Sequence, residues 1–135
     1  MSDDESIDDV RARKREQLRS DGGSESVAQT PAEPFHVDTI SSLDEVTSTH
    51  EAVLIDFYAD WCGPCKMIEP TVEALAAETD VAVAKVDVDA NQGLAAEYGV
   101  QGVPTLLLFA DGEPVERVVG VQDKETLRST IEQHT

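Results

Sequence analysis

A chain of 135 residues with 40% hydrophobic content can bury one core without disulfide or metal staples, and no apolar run approaches the roughly 18 residues of a membrane-spanning helix. Acidic residues outnumber basic ones 28 to 10, a formal net charge of −18, and a molecule so charged repels phosphate, which argues against nucleic acid as a partner. The same self-repulsion opposes compaction in dilute buffer. At about 1 M salt the Debye length shrinks to roughly 3 Å and most of that repulsion disappears, so the composition is read as halophilic, suited to a salt-rich cytoplasm. Met1-Ser2-Asp3-Asp4-Glu5 offers neither the basic nor the apolar region of a secretory signal.

Residues 1–34 are polar, are broken by Asp21-Gly22-Gly23 and Pro31-Ala32-Glu33-Pro34, and lack enough apolar side chains for a core. They are expected to form an acidic N-terminal tail, disordered or partly helical, ahead of a folded unit at 35–135. One helix is plausible within the tail, capped by Ser6 and running through Val10 to Arg19, with acids first and bases last as the helix dipole prefers. The basic cluster Arg11-Ala12-Arg13-Lys14-Arg15 is flanked by acids and reads as a solvated helical face rather than a phosphate patch.

The folded unit begins with a short strand over Phe35 to Thr39 and a brief helix over Leu43 to Ser48, capped by Ser41 or Ser42, with Asp44 and Glu45 in its first turn. Ala52 to Ala59 is an apolar run rich in branched and aromatic residues, a buried strand. Asp56 interrupts it on the face of Leu54 and Tyr58. A carboxylate there is desolvated, its pKa raised, and suited to accept or relay a proton near neutral pH; the alternative is an Asp bonded in a turn or facing water.

Both cysteines follow, in Trp61-Cys62-Gly63-Pro64-Cys65-Lys66. Helix-forming residues continue from Met67 to Glu78, with Met67, Ile68, Val72, Leu75 and Ala76 as apolar positions, so the pair sits where a strand ends and a helix begins. Residues three apart share a helix face at a separation that allows a disulfide to open and close with little backbone movement. Cys62 is expected to point toward solvent at the positive end of the helix dipole, which favours its thiolate. The dipole supplies only about 0.3–1 kcal/mol, less than the roughly 1.4 kcal/mol that one pKa unit requires, so hydrogen bonds to sulfur are needed as well. A purely structural disulfide closing so small a loop would stabilise by only roughly 2 kcal/mol. Zinc would need further ligands, and His36, His50 and His134 are scattered singly. Haem attachment would need His where Lys66 stands, and an iron–sulfur cluster would need more cysteines. Pro70 should kink the helix.

Val81 to Val88 reads as the next strand, parallel to the first through a right-handed crossover. Gln92 to Tyr98 is a short helix ended by Gly99. Thr105 to Ala110 and Pro114 to Val119 form a hairpin across Asp111-Gly112. Gln122 or Asp123 begins a last helix that buries Leu127 and Ile131. The order is β-α-β-α-β-α-β-β-α.

With Asp56 in the preceding strand and Gly102-Val103-Pro104-Thr105 far downstream, the Trp-Cys-Gly-Pro-Cys-Lys hexapeptide resembles the thioredoxin family over about residues 35 to 135. The resemblance implies an α/β thioredoxin fold, a mixed central sheet with helices on both faces. It implies a thiol–disulfide oxidoreductase that reduces protein disulfides, with Cys62 as nucleophile, Cys65 as resolving cysteine and Asp56 as proton relay behind Cys65. Lys85 matches a lysine that approaches this Asp in the family; the plainer reading is a solubilising charge at a strand edge. A cis bond before Pro104 would set Val103 beside the dithiol with its backbone free to pair with an extended chain. Trp61, Gly63, Pro64, Gly102, Val103, Gly120 and Val121 would then form an apolar substrate patch. Tyr58 stands where many members carry a second tryptophan. The implied partners are protein disulfides and a flavin-dependent thioredoxin reductase, with no metal or organic cofactor, no nucleic acid and no membrane, for a monomer in a reducing cytoplasm. The alternatives are a disulfide oxidase or isomerase, and a non-catalytic scaffold with the tail as docking element.

Overall fold

In the computed structural model, which describes residues 30–135, the apolar run Ala52–Tyr58 forms the middle strand of the sheet and is buried from Ala52 through Phe57. The elements in chain order are β1 (Phe35–His36), α1 (Ile40–Thr49), β2 (Ala52–Tyr58), α2 (Gly63–Glu78), β3 (Ala82–Asp87), α3 (Gln92–Glu97), β4 (Thr105–Ala110), β5 (Glu113–Val119) and α4 (Lys124–Gln133). The strands lie in the order β1-β3-β2-β4-β5. β2 pairs parallel with β3 and antiparallel with β4, and β4 pairs antiparallel with β5 across a register shift at Leu108/Phe109. The tail helix expected over Val10 to Arg19 lies outside the described residues.

Because side chains alternate across a strand, β2 feeds two cores. Ala52 and Leu54 join Val83, Leu106 and Leu108 under Ile68, Val72 and Leu75 of α2 and Leu127 and Ile131 of α4. Val53, Ile55 and Phe57 join Ala84, Val86 and Phe109 under Leu43 of α1 and Leu94 of α3. Helices thus cover both faces of a mixed sheet, as expected.

Local chemistry shifts several boundaries. β1 stops at His36 rather than Thr39. Thr39, not Ser41 or Ser42, caps α1: its hydroxyl oxygen accepts the Ser42 N–H at 2.9 Å. The helix therefore starts earlier, and Asp44 and Glu45 fall in its second turn rather than its first. Asp123 caps α4 by accepting the Thr126 N–H at 2.9 Å. α2 runs through Pro70 as one helix. Met67, expected on its apolar face, is exposed.

Candidate active site

The strand-to-helix junction is built by Cys62. Its backbone is extended (φ −93°, ψ 112°), its N–H donates to Ala59 O at 3.1 Å, and its Sγ caps α2 by accepting the Cys65 N–H at 3.1 Å. Pro64 occupies the first helical turn, where a missing N–H costs nothing. Cys62 and Cys65 are joined as a disulfide with their Cα atoms 5.3 Å apart. Both are buried, Cys62 at 3% and Cys65 at 6% exposure, packed with Ala59 and against Tyr58, Val88 and Val103. The expectation that Cys62 points into solvent is therefore corrected. The cap geometry that aims its sulfur back at the helix N–H also turns it inward.

Around the sulfurs lies an exposed rim. Trp61 is 71% exposed, and its Nε1–H donates to Asp89 Oδ2 at 2.7 Å. Asp89 is held in place by the end of β3, where the Asp87 carboxylate accepts the N–H groups of Asp89 and Ala90 at 2.9 and 3.2 Å. Gly63, Pro64, Gly102 and Val121 are exposed, Val103 is half-buried, and the Val103–Pro104 bond is cis. Gly120 (φ +95°), a conformation few other residues adopt, donates its N–H to Pro104 O at 2.9 Å and so anchors that loop behind the cis bond. Met67, 69% exposed, was not expected at the surface.

Beneath α2, Asp56 is 1% exposed and its Oδ1 has no hydrogen-bond partner among the described residues. Burial pushes its pKa up to about 6, against the opposing charge of Lys85 and with a smaller upward push from Glu69. Lys85 is its register neighbour on β3, yet the ammonium is directed elsewhere. It donates to Glu69 Oε2 at 2.9 Å and lies 4.7 Å from the centre of the Tyr58 ring. Lys85 is buried rather than a solubilising edge charge, and its bond and charge hold Glu69 below the usual carboxylate range. Cys65, Lys66, Glu69 and Lys85 line a recess of about 50 Å³ with Tyr58, Ala59 and Asp60, enough for a water molecule. Sequence reasoning missed Glu69 and Asp89, both ordinary surface acids among the chain's 28 acidic residues. The only hint for Glu69 was its place four residues after Cys65, one turn along the same helix face.

The thioredoxin family model matches residues 35–133. The chain belongs to the thioredoxin family. It is 52% identical over 84 residues to thioredoxin of Chlamydia caviae, covering 62% of this chain and 82% of that protein. Over 89 residues it is 49% identical to thioredoxin of Mycobacterium tuberculosis, covering 64% and 77%. Among solved structures, a mutant thioredoxin from Halobacterium salinarum is 61% identical, with a TM-score of 0.77 over 80% of this chain and 96% of that one. With its redox-active cysteine pair at the head of α2, the chain is a thiol–disulfide oxidoreductase of the protein-disulfide-reductase type. No helix among the described residues is long and apolar enough to cross a membrane.

Proposed function

We propose that the chain reduces target proteins by a two-step exchange in which Cys62 attacks first and Cys65 resolves. The Cys62 thiolate forms a bond to one sulfur of the target disulfide, and the other target sulfur leaves as a thiolate that takes up a proton. Cys65 then gives its proton to Asp56, and its thiolate attacks Cys62 Sγ. That breaks the mixed disulfide and releases the second target thiolate, which is protonated in turn. Two electrons have passed to the target, and Cys62 and Cys65 are left as a disulfide.

The observation that carries this order is the helix cap. Cys62 Sγ accepts a backbone N–H from the first turn of α2, a bond that favours a thiolate there. Exposure does not distinguish the two sulfurs. Asp56 suits proton acceptance because its pKa, about 6, lies close to neutral, and its register partner Lys85 lines the recess that Cys65 also lines. Trp61, Gly63, Pro64, Gly102, Val103, Gly120 and Val121 form the substrate rim, where the target chain pairs with the Val103 backbone. A flavin-dependent thioredoxin reductase regenerates the dithiol, and the unit 35–135 works as a monomer in the cytoplasm. A salt-rich cell is supported by the 28 to 10 excess of acids and by the Halobacterium relative.

Cys65→Ser should accumulate mixed disulfides with target proteins, while Cys62→Ser should accumulate none and lose insulin reduction. A Cys65→Ser protein that traps nothing, alongside an active wild type, would refute the order of attack. Melting in 0 to 3 M KCl (roughly the range over which screening saturates) should show stability rising with salt.

A further inference from the structure

We propose that Glu69 is a positioning residue: by holding the Lys85 ammonium toward itself and over the Tyr58 ring, it keeps that cation off Asp56 and leaves the buried carboxylate free to take up the Cys65 proton. The inference rests on the reading of Asp56 as proton acceptor.

Asp56 and Lys85 are direct register partners on adjacent parallel strands, the placement from which a buried lysine would ordinarily pair with a buried acid. Asp56 Oδ1 nevertheless has no partner among the described residues, while Lys85 donates to Glu69 across the sheet-to-helix gap at 2.9 Å. The lysine side chain is 9% exposed and that of Glu69 47%, so Glu69 holds the cation from the solvent side. Tyr58 fixes the other flank: Lys85 lies 4.7 Å from its ring centre, and the Tyr58 hydroxyl sits 3.1 Å from His36 Nε2 on β1.

Lys85 of β3 and Glu69 of α2 act on Asp56 directly, and Asp56 acts on Tyr58 of β2. Asp87 of β3 and Asp60 of the junction face Tyr58, Lys66 of α2 and His36 of β1 face Glu69, and Cys65 shares the recess with Lys85 and Glu69. On β4 the register partner of Asp56 is Leu106, which does not titrate. Lys85 is thus the cation best placed to reach Asp56, and Glu69 is the acid that competes for it. A salt bridge between Lys85 and Asp56 would stabilise the charged carboxylate and weaken it as a base. The recess lined by Cys65, Glu69 and Lys85 sets the Lys85–Glu69 pair beside the resolving cysteine.

The test is a double-mutant cycle read on the Asp56 carboxyl carbon by NMR titration of the oxidised full-length protein. Glu69→Gln should lower the Asp56 midpoint by about one unit or more as Lys85 swings onto it, and Lys85→Gln should raise it. In the Lys85→Gln background, the Glu69→Gln change should lose most of its effect. An equal shift in both backgrounds would mean that Glu69 acts only through its own charge, and no shift in either would mean that it does not reach Asp56. Either result overturns the proposal. Glu69 is half-exposed on a helix, and circular dichroism of each variant checks that the fold is retained. The acid limb of the pH profile for insulin reduction should move with the Asp56 midpoint. If the midpoint moves as expected while that limb stays fixed, the positioning role stands and Asp56 as proton acceptor falls.

Discussion

Replacing Asp56 by Asn should stabilise the oxidised protein at neutral pH relative to acid, and the structure sets the size. The carboxyl is 1% exposed with an unpartnered oxygen, and its pKa is pushed from the usual 3.8 to about 6. In the unfolded chain it ionises near 3.8 and in the folded chain only near 6, so between those values the folded state holds a proton that the unfolded state has released. Stability therefore falls as pH rises through that window and is flat above it. About two pKa units at roughly 1.4 kcal/mol each amount to about 3 kcal/mol. Asn cannot ionise and is spared that loss. Urea unfolding of both proteins in molar KCl, at pH values spanning 3.5 to 8 (about the range that brackets both ionisations), gives the difference in stability at each pH. Any fixed cost of burying an amide cancels from its pH dependence. The advantage of Asn should grow by about 3 kcal/mol from the acid end to the neutral end. A difference that does not change with pH, or that shrinks as pH rises, would refute the desolvated carboxylate.

Leu75 is completely buried where α2 meets the sheet and α4, and Leu75→Ala should cost about 2–5 kcal/mol in urea unfolding; a cost under about 1 kcal/mol, the range of tolerant surface sites, would mean that this core is not close-packed. Trp61 is the chain's only tryptophan, tethered by the Asp89 carboxylate, so Asp89→Ala should lower its fluorescence anisotropy and reduce insulin reduction a few-fold with little change in melting temperature. An unchanged anisotropy would show that packing, not this bond, holds the indole. Gly120→Ala should lose at least about 1 kcal/mol of stability, because φ +95° is costly for a residue with a Cβ; equal stability would mean that the loop relaxes without cost.

The layered fold was legible because its signals are local. The continuous apolar run of β2, the Asp111-Gly112 turn and the helical spacing of Ile68, Val72 and Leu75 each act within a few residues, and the elements formed in the expected order, several with shifted ends. The site was legible as far as its motif: the hexapeptide marked Cys62 and Cys65, and the apolar strand marked Asp56. What escaped was decided by pieces of chain that meet only after folding. The partners of Trp61 and Lys85 are 28 and 16 residues away, and nothing near Asp89 or Glu69 sets them apart from other acids. The inward turn of Cys62 follows from its sulfur serving as the cap, an alternative to the Ser, Thr, Asp and Asn that usually mark a helix start. Thr39 was passed over for Ser41 and Ser42 because several neighbouring hydroxyls can cap, and backbone geometry chooses among them.

β5 forms one border of the sheet, and a border strand offers unpaired backbone groups to any other chain that can stack against it. Glu113, Glu116 and Arg117 discourage such stacking by charge, but concentrated salt blunts that defence. Pro114 and the register break opposite Leu108 and Phe109 discourage it by shape, which dissolved ions leave untouched. In any brine that mutes electrostatic repulsion between molecules, a misfit border made of proline and a displaced register would still oppose one copy zipping onto the next.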